Sequence, residues 1–277
     1  MPVVAPTARV DAELVRRGLA RSRDHAVTLV AGGRVSVDGR PVTKPATRVD
    51  TSSALAVEPD PGDPGYASRA GHKLAGALDA LGPAGLAVSG RRCLDVGSST
   101  GGFTDVLLRA GARQVVCLDV GHDQLLPRLR EDPRTVVLEG RNIRDVGTHD
   151  LGGAVDLVTA DVSFISLTLV LPVLVEVADP EGDLLVLVKP QFEVGRERLG
   201  SGGVVRDDRL RRDSVRRVAT AGRDLGWGVQ AVVPSPLPGP SGNVEYFLWL
   251  RRGPGTLPTV PLDRALTDGP AGEKVSS

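Results

Sequence analysis

The sequence is short of several things, and each shortage narrows what the chain can do. Aromatic residues make up 3% of its 277 residues. That is too few to line a long groove with stacking platforms for single-stranded nucleic acid. There are two cysteines, Cys93 and Cys117, without metal-ligand spacing. Both are expected to be small buried residues of a cytoplasmic protein, and no metal site is expected. Long hydrophobic runs are missing as well. The greasiest stretch, Phe164 to Val175, is interrupted by Ser166, Thr168 and Pro172 and falls short of the ~18 apolar residues a spanning helix needs. The first residues lack the apolar core of a signal peptide, so no membrane association is expected. Net charge is zero, with 34 basic against 34 acidic residues, so any affinity for nucleic acid rests on local patches. The sharpest shortage is lysine. Lys44, Lys73, Lys189 and Lys274 stand against 30 arginines. A codon bias toward Arg accounts for the ratio. Arg cannot give up its proton in a protein, whereas a buried Lys can, so a position that needs a titratable amine cannot drift to Arg.

What is present falls into two parts. Residues 1–8 are expected to be a disordered tip. Residues 9–59 pattern as a small α+β unit with helices over 10–17 and 23–31, Ser22 capping the second and Gly32-Gly33 ending it. Asp38-Gly39 is a tight-turn signal between Val35–Val37 and Pro41-Val42. Residues 60–68, with Asp60-Pro61-Gly62-Asp63-Pro64-Gly65, have linker chemistry. Residues 69–253 alternate strands and helices: strands over 91–96, 114–119, 135–138, 155–160, 183–188, 228–233 and 244–250, helices over 68–81, 103–110, 123–130, 166–177 and 207–225. Apolar strands between helices predict a mostly parallel sheet covered on both faces. The last two strands, joined only by 234–242, should pair as an antiparallel edge. Residues 254–277 are Pro/Gly-rich, without periodicity, and are expected to be a disordered tail.

Within the larger part, Arg92 to Thr104 runs as a strand ending in an acid, a glycine turn and a helix start. This layout brings backbone close to a nucleotide-type cofactor. The spacing Gly97-x-x-x-Gly101-Gly102 lacks the G-x-G of a dinucleotide fingerprint. Asp119, at the end of the second strand, is placed to bind ribose hydroxyls. Asp95 can meet the cationic part of a cofactor; a pyrophosphate would be repelled there. S-adenosylmethionine suits this pattern. Gly97, Ser99, Thr100, Gly101, Gly102, Phe103 and Thr104 form the turn around it, and Asn142 is a candidate for the adenine edge. Lys189 ends an apolar strand at the sheet edge where open α/β folds bind ligands. Asp161 ends the preceding strand, Glu245 begins the last one, and Lys73 lies on the helix before the first. Two lysines and two carboxylates can therefore meet beside the cofactor. A desolvated lysine can act as base toward a poorly acidic hydroxyl. A structural ion-pair network is the alternative reading of the same four residues.

Longer runs carry a resemblance. The larger part is similar to FtsJ-like RNA 2′-O-methyltransferases, whose Lys-Asp-Lys-Glu tetrad falls on Lys73, Asp161, Lys189 and Glu245. The run from Arg9 to Arg23 resembles an S4 RNA-binding domain. Both parts, with Asp161-Val-Ser-Phe-Ile-Ser, Lys189-Pro-Gln-Phe-Glu-Val-Gly and Pro236-Leu-Pro-Gly-Pro-Ser-Gly-Asn-Val-Glu-Tyr-Phe, resemble the TlyA family over about residues 9–252, especially its actinobacterial members. The resemblance implies a Rossmann-like class I methyltransferase domain, seven-stranded with an antiparallel last strand, behind the S4 domain. It implies 2′-O-methylation of cytidine in ribosomal RNA, 16S, 23S or both, with Lys189 as the principal amine and Asp161 also touching the cofactor. In the family, loss of this methylation confers resistance to capreomycin-type antibiotics. Tyr66 stands where the mycobacterial linker has Trp.

The RNA surface is expected on the first unit, where nine Arg/Lys face four acids between Arg9 and Arg48. Arg9, Arg16, Arg17, Arg21, Arg23 and Lys44 are the candidates for phosphate contact. Phe164 and Phe192, close after Asp161 and Lys189, can flank a flipped base or simply pack in the core. A monomer working on rRNA or ribosomal subunits is expected. A non-catalytic rRNA-binding or assembly factor with a vestigial methyltransferase fold, and a nicotinamide oxidoreductase, are the competing classes.

Overall fold

The structure is a computed structural model that describes residues 6–59, 62–239 and 241–255; the outer parts of the expected tip and tail, 1–5 and 256–277, lie outside the described residues. The chain divides into two units between Gly65 and Tyr66, each with its own core.

In the first unit, β1 (Thr7–Arg9) leads into α1 (Val10–Arg16) and α2 (Arg23–Ala31), followed by β2 (Val35–Val37), β3 (Arg40–Pro41), β4 (Arg48–Asp50) and β5 (Leu55–Val57). Ser22 Oγ accepts from His25 N at 3.1 Å and caps α2. Asp38 and Gly39 both have positive φ, 49° and 76°, the geometry a two-residue hairpin requires. Strand β2 pairs antiparallel with β3 and with β5. A second pairing, β1 with β4, corrects the expectation of a disordered start: Thr7 and Ala8 are in a strand. Three residues carry no visible period, and their partner lies some forty residues away. Val10, Leu14, Ala26, Leu29, Val30 and Val35 form the core of this unit.

The second unit starts with α3 (Arg69–Leu81) and continues β6 (Arg92–Val96), α4 (Gly102–Arg109), β7 (Gln114–Asp119), α5 (Pro127–Arg130), β8 (Thr135–Glu139), α6 (Thr148–Leu151), β9 (Val155–Ala160), α7 (Leu171–Val177), β10 (Ala178–Val188), α8 (Pro190–Glu193), α9 (Asp208–Asp224), β11 (Trp227–Pro234) and β12 (Tyr246–Arg252). The strands form one sheet in the order β11-β12-β10-β9-β6-β7-β8. Neighbours from β10 to β8 are parallel. Strand β12 is antiparallel to both β10 and β11, so the last strand is inserted inside the edge rather than forming it. Residues alternate between two buried faces. Leu94, Val96, Leu184, Val186 and Val188 belong to one core, and Cys93, Leu185, Leu187 and Phe247 to the other. Burying each large aliphatic side chain contributes roughly 1.5–3 kcal/mol.

Three expected elements differ in extent. The helix over 123–130 contracts to α5, because Asp123 takes a left-handed φ of 54° and Leu126 an extended ψ of 139°, so that Pro127 opens the helix. The Glu139 carboxylate holds the preceding turn by accepting from the N–H groups of Asp123, Gln124 and Leu125. The helix over 166–177 splits into a 3-10 turn, Leu167–Leu169, and α7 with Pro172 in its first turn. Strand 183–188 extends back to Ala178 through an irregularity in its pairing with β9. The direction of strand order reverses between β6 and β9, and ligands of open α/β sheets bind at such a point, outside the carboxyl ends of the strands.

Candidate active site

Sheet register alone assembles one rim. Val186 pairs with Ala160 and Val188 with Tyr246, so Asp161, Lys189 and Glu245 follow directly at the same edge. Helix α3 brings Lys73 to it. Lys73 Nζ lies 2.6 Å from Glu245 Oε2, and Lys189 Nζ lies 2.5 Å from Asp161 Oδ1. Lys189 Nζ also donates to Ser163 Oγ at 3.0 Å. Lys73, Lys189 and Glu245 are all buried. All four tetrad residues line one cavity of about 950 Å³ together with Gly97, Ser99, Thr100, Gly102 and Phe103. An ammonium has three donors. The two contacts of Lys189 leave one for a ligand on the cavity side.

The glycine turn is built for close approach. Gly97 has φ +83°, and a Cβ there would stand 2.6 Å from the Asp161 carbonyl oxygen. Gly101, at φ +95°, is the N-cap of α4, and a Cβ on it would collide with Leu129. Beneath the turn, Asp95 is fully buried. Thr104 Oγ1 donates to Asp95 Oδ2 at 2.7 Å, while Asp95 Oδ1 has no partner. Burial pushes the Asp95 carboxyl up to about 7; the Thr104 hydrogen bond opposes this and the nearby Asp161 carboxylate adds to it. Asp119 receives the backbone N–H groups of Ser99 and Gly121, at 2.7 and 2.8 Å. An orphaned buried carboxylate oxygen beside a backbone-lined turn fits a ligand with a cationic end, as S-adenosylmethionine has.

Several anticipated residues do other work. Thr104 is fully buried and holds Asp95 from below instead of lining the cavity. Asn142 is also outside the lining; its Oδ1 accepts from Arg144 N at 3.1 Å and caps a 3-10 turn. Cys93 and Cys117 are buried, with thiols pushed up to about 12 by burial. Phe164 is not a core residue: it is 91% exposed, at φ +64°, with its ring centroid 5.1 Å from that of Phe192. Tyr66 sits edge-on to His72 and beneath the Arg109 guanidinium. Three site residues had not been singled out from the sequence. Ser163 contacts Lys189. Gln191 Nε2 donates to Glu245 Oε1 at 3.4 Å. Glu193 accepts from Ser166 Oγ and Leu167 N at 2.6 and 2.8 Å, which ties the loop after β9 to the turn after β10. All three lie inside the Asp161 and Lys189 runs, the only signal that could have found them.

In the first unit, the basic candidates are organised around two buried acids. Asp11 pairs with Arg9 and Arg23, and Glu13 with Arg16 and Arg17. The Arg16 and Arg17 hydrogen bonds hold the Glu13 carboxyl at about 2. Arg9, Arg16 and Arg23 still expose about half or more of their side chains, 48%, 63% and 58%. Arg17 instead reaches the carbonyls of Ser53 and Thr51, Arg21 pairs with Asp63, and Lys44 is exposed.

The sheet order with its inserted antiparallel strand and the cavity at the switch point define a class I methyltransferase fold behind a small S4-type unit. The FtsJ-like methyltransferase family matches residues 66–252, and the S4 domain family matches residues 8–55. A Mycobacterium tuberculosis protein named 16S/23S rRNA (cytidine-2′-O)-methyltransferase TlyA is 57% identical over 248 residues, 90% of this chain and 91% of the relative. Hemolysin A of Brachyspira hyodysenteriae is 37% identical, over 86% of this chain and 98% of its own. A solved structure from Streptococcus thermophilus, provisionally named a hemolysin, superposes with a TM-score of 0.75 at 34% identity, over 95% of this chain and 96% of that one. The chain belongs to the TlyA family of S4-containing, FtsJ-like methyltransferases.

Proposed function

We propose that this protein transfers a methyl group from S-adenosylmethionine to the ribose 2′-hydroxyl of a cytidine in ribosomal RNA, 16S, 23S or both. The observation that carries this reading is Lys189, a buried amine held between Asp161 and Ser163 on the wall shared with the glycine turn. The name of the mycobacterial relative supports the acceptor. When bound, S-adenosylmethionine supplies an electrophilic methyl group on a sulfonium. Gly97, Ser99, Thr100, Gly102 and Phe103, which line the cavity, would hold it. Asp95 and Asp119 lie just outside that lining, where their negative charge would favour its cationic end and its ribose hydroxyls. Lys189 Nζ would take the 2′-hydroxyl proton as that oxygen attacks the methyl group. Asp161, 2.5 Å away, stabilises the ammonium that results. Glu245 holds Lys73 at 2.6 Å, where its amine can orient the ribose. Phe164 offers an exposed ring against which a flipped base can stack.

Arg9, Arg16 and Arg23 contact rRNA phosphates, their guanidiniums oriented by Asp11 and Glu13. Among the described residues no helix is long and apolar enough to cross a membrane. A ribosomal-subunit substrate supports a cytoplasmic protein; it is proposed to act as a monomer, and loss of the gene should confer capreomycin resistance. Tritiated methyl transfer to subunits from a strain lacking the gene, followed by mapping of 2′-O-methyls, tests the reading. Incorporation confined to cytidine, at a defined position in 16S, 23S or each, is expected. Stable subunit binding without incorporation would mark an assembly factor instead.

A further inference from the structure

One polar group in the cavity wall has no task in the fold or in the transfer step. Gln191 follows Lys189 by two residues, in α8, and lines the cavity. Its Oε1 is buried without a hydrogen-bond partner. The two ends of an amide are told apart only by what surrounds them, and here the surroundings decide. A carboxylate only accepts, so the NH2 group must face Glu245 Oε1. Glu245 is itself buried and held through its other oxygen by Lys73. The chain Lys73, Glu245, Gln191 therefore fixes the polarity of the amide and leaves a bare carbonyl acceptor. The next residue is Phe192, whose ring pairs with the exposed ring of Phe164, so this acceptor shares a turn with the aromatic pair.

We propose that Gln191 Oε1 reads the acceptor nucleobase: it accepts a hydrogen bond from the exocyclic amine of cytosine and rejects uracil. The assignment rests on the methyl-transfer reading above. A ribose hydroxyl both donates and accepts, so it would pair with either end of an amide and needs no locked orientation. An amine and a carbonyl are distinguished only by a fixed acceptor. Uracil would set its O4 against Gln191 Oε1, and turning the amide over would set that oxygen against Glu245. Lys189, Asp161 and Ser163 remain free to handle the ribose.

The test compares kcat/KM of the full-length protein on ribosomal subunits carrying C or U at the mapped acceptor. Wild type should prefer C by tenfold or more, on the order expected when a buried acceptor loses its donor. Gln191→Met, close in size and without polar atoms, should bring the ratio near one while calorimetric S-adenosylmethionine binding stays at the wild-type value. If Gln191 only positions Glu245, both substrates slow equally and the preference survives, which overturns the assignment while leaving the methyl-transfer reading intact. Equal wild-type rates on C and U overturn it without any variant. Absence of transfer to either substrate overturns both readings.

Discussion

Strand β10 carries a buried ionic cluster at each end of its central run, and the two are built to opposite purposes. At the amino end, Asp183 is fully buried and takes hydrogen bonds from Trp249 Nε1 at 2.6 Å, from Arg251 and from Arg91. The Arg251 guanidinium also lies 4.9 Å over the Trp249 ring. Both Asp183 oxygens are engaged, and every cation is an arginine that keeps its proton. Six residues on, Lys189 meets Asp161 and Ser163, beside a cavity and beside unpartnered oxygens on Asp95 and Gln191. A saturated cluster of fixed charges holds strands together. An open cluster with a titratable amine has capacity left for a substrate. Burial of charge by itself does not separate the two; the unfilled hydrogen-bonding capacity does.

Breaking each cluster should have a different signature. Lys189→Arg keeps the charge and removes the titratable amine. Methyl transfer should fall by about 10²–10⁴-fold while calorimetric binding of S-adenosylmethionine is retained. Near-wild-type transfer in this variant would dissolve the contrast. At the other end, Asp183→Ala leaves two guanidiniums and an indole without their acceptor. Urea unfolding should show a loss of about 3–5 kcal/mol, with kcat of the folded fraction unchanged. A change in kcat at constant stability would mean that the amino-end cluster also serves the site.

Asp95 sharpens the comparison through pH. Its carboxyl is at about 7 in the fold against an ordinary 3.8. The folded state therefore binds more protons than the unfolded state between those values, and this group lowers stability as pH rises through the window. Asp95→Asn should make the cofactor-free protein more stable than wild type at pH 8, with the difference shrinking toward pH 4, and should weaken S-adenosylmethionine binding. A pH-independent difference in denaturation midpoint would contradict the burial of an ionisable group there. The smallest effects belong to the first unit. Arg16→Ala and Arg23→Ala should each weaken subunit binding modestly and lower the salt dependence by about one counterion. An unchanged salt slope would assign these arginines to Glu13 and Asp11 alone.

Local chemistry was legible in the chain. Apolar runs mark the strands of the second unit, Asp38-Gly39 and Ser22 the hairpin turn and helix cap of the first, and Gly97 to Gly102 the glycine turn after β6. Each is settled by a few adjacent residues and the conformations they allow. Mistakes fell where distant groups intervene. Glu139 holds residues 123–125 in a turn outside any helix, and β4 recruits Thr7 and Ala8 into a strand.

The sequence by itself determined the alternating elements, the shortage of lysine that drew attention to Lys73 and Lys189, and the family likeness. Tertiary structure alone decided that Lys73 and Glu245, 172 positions apart, are in contact. It also decided that Asp183 is saturated while Asp95 and Gln191 are not, and that Phe164 faces outward. The physical reason is that hydrogen-bond capacity is filled or left open by partners brought in through sheet register and helix packing, and no local pattern records which partners arrive.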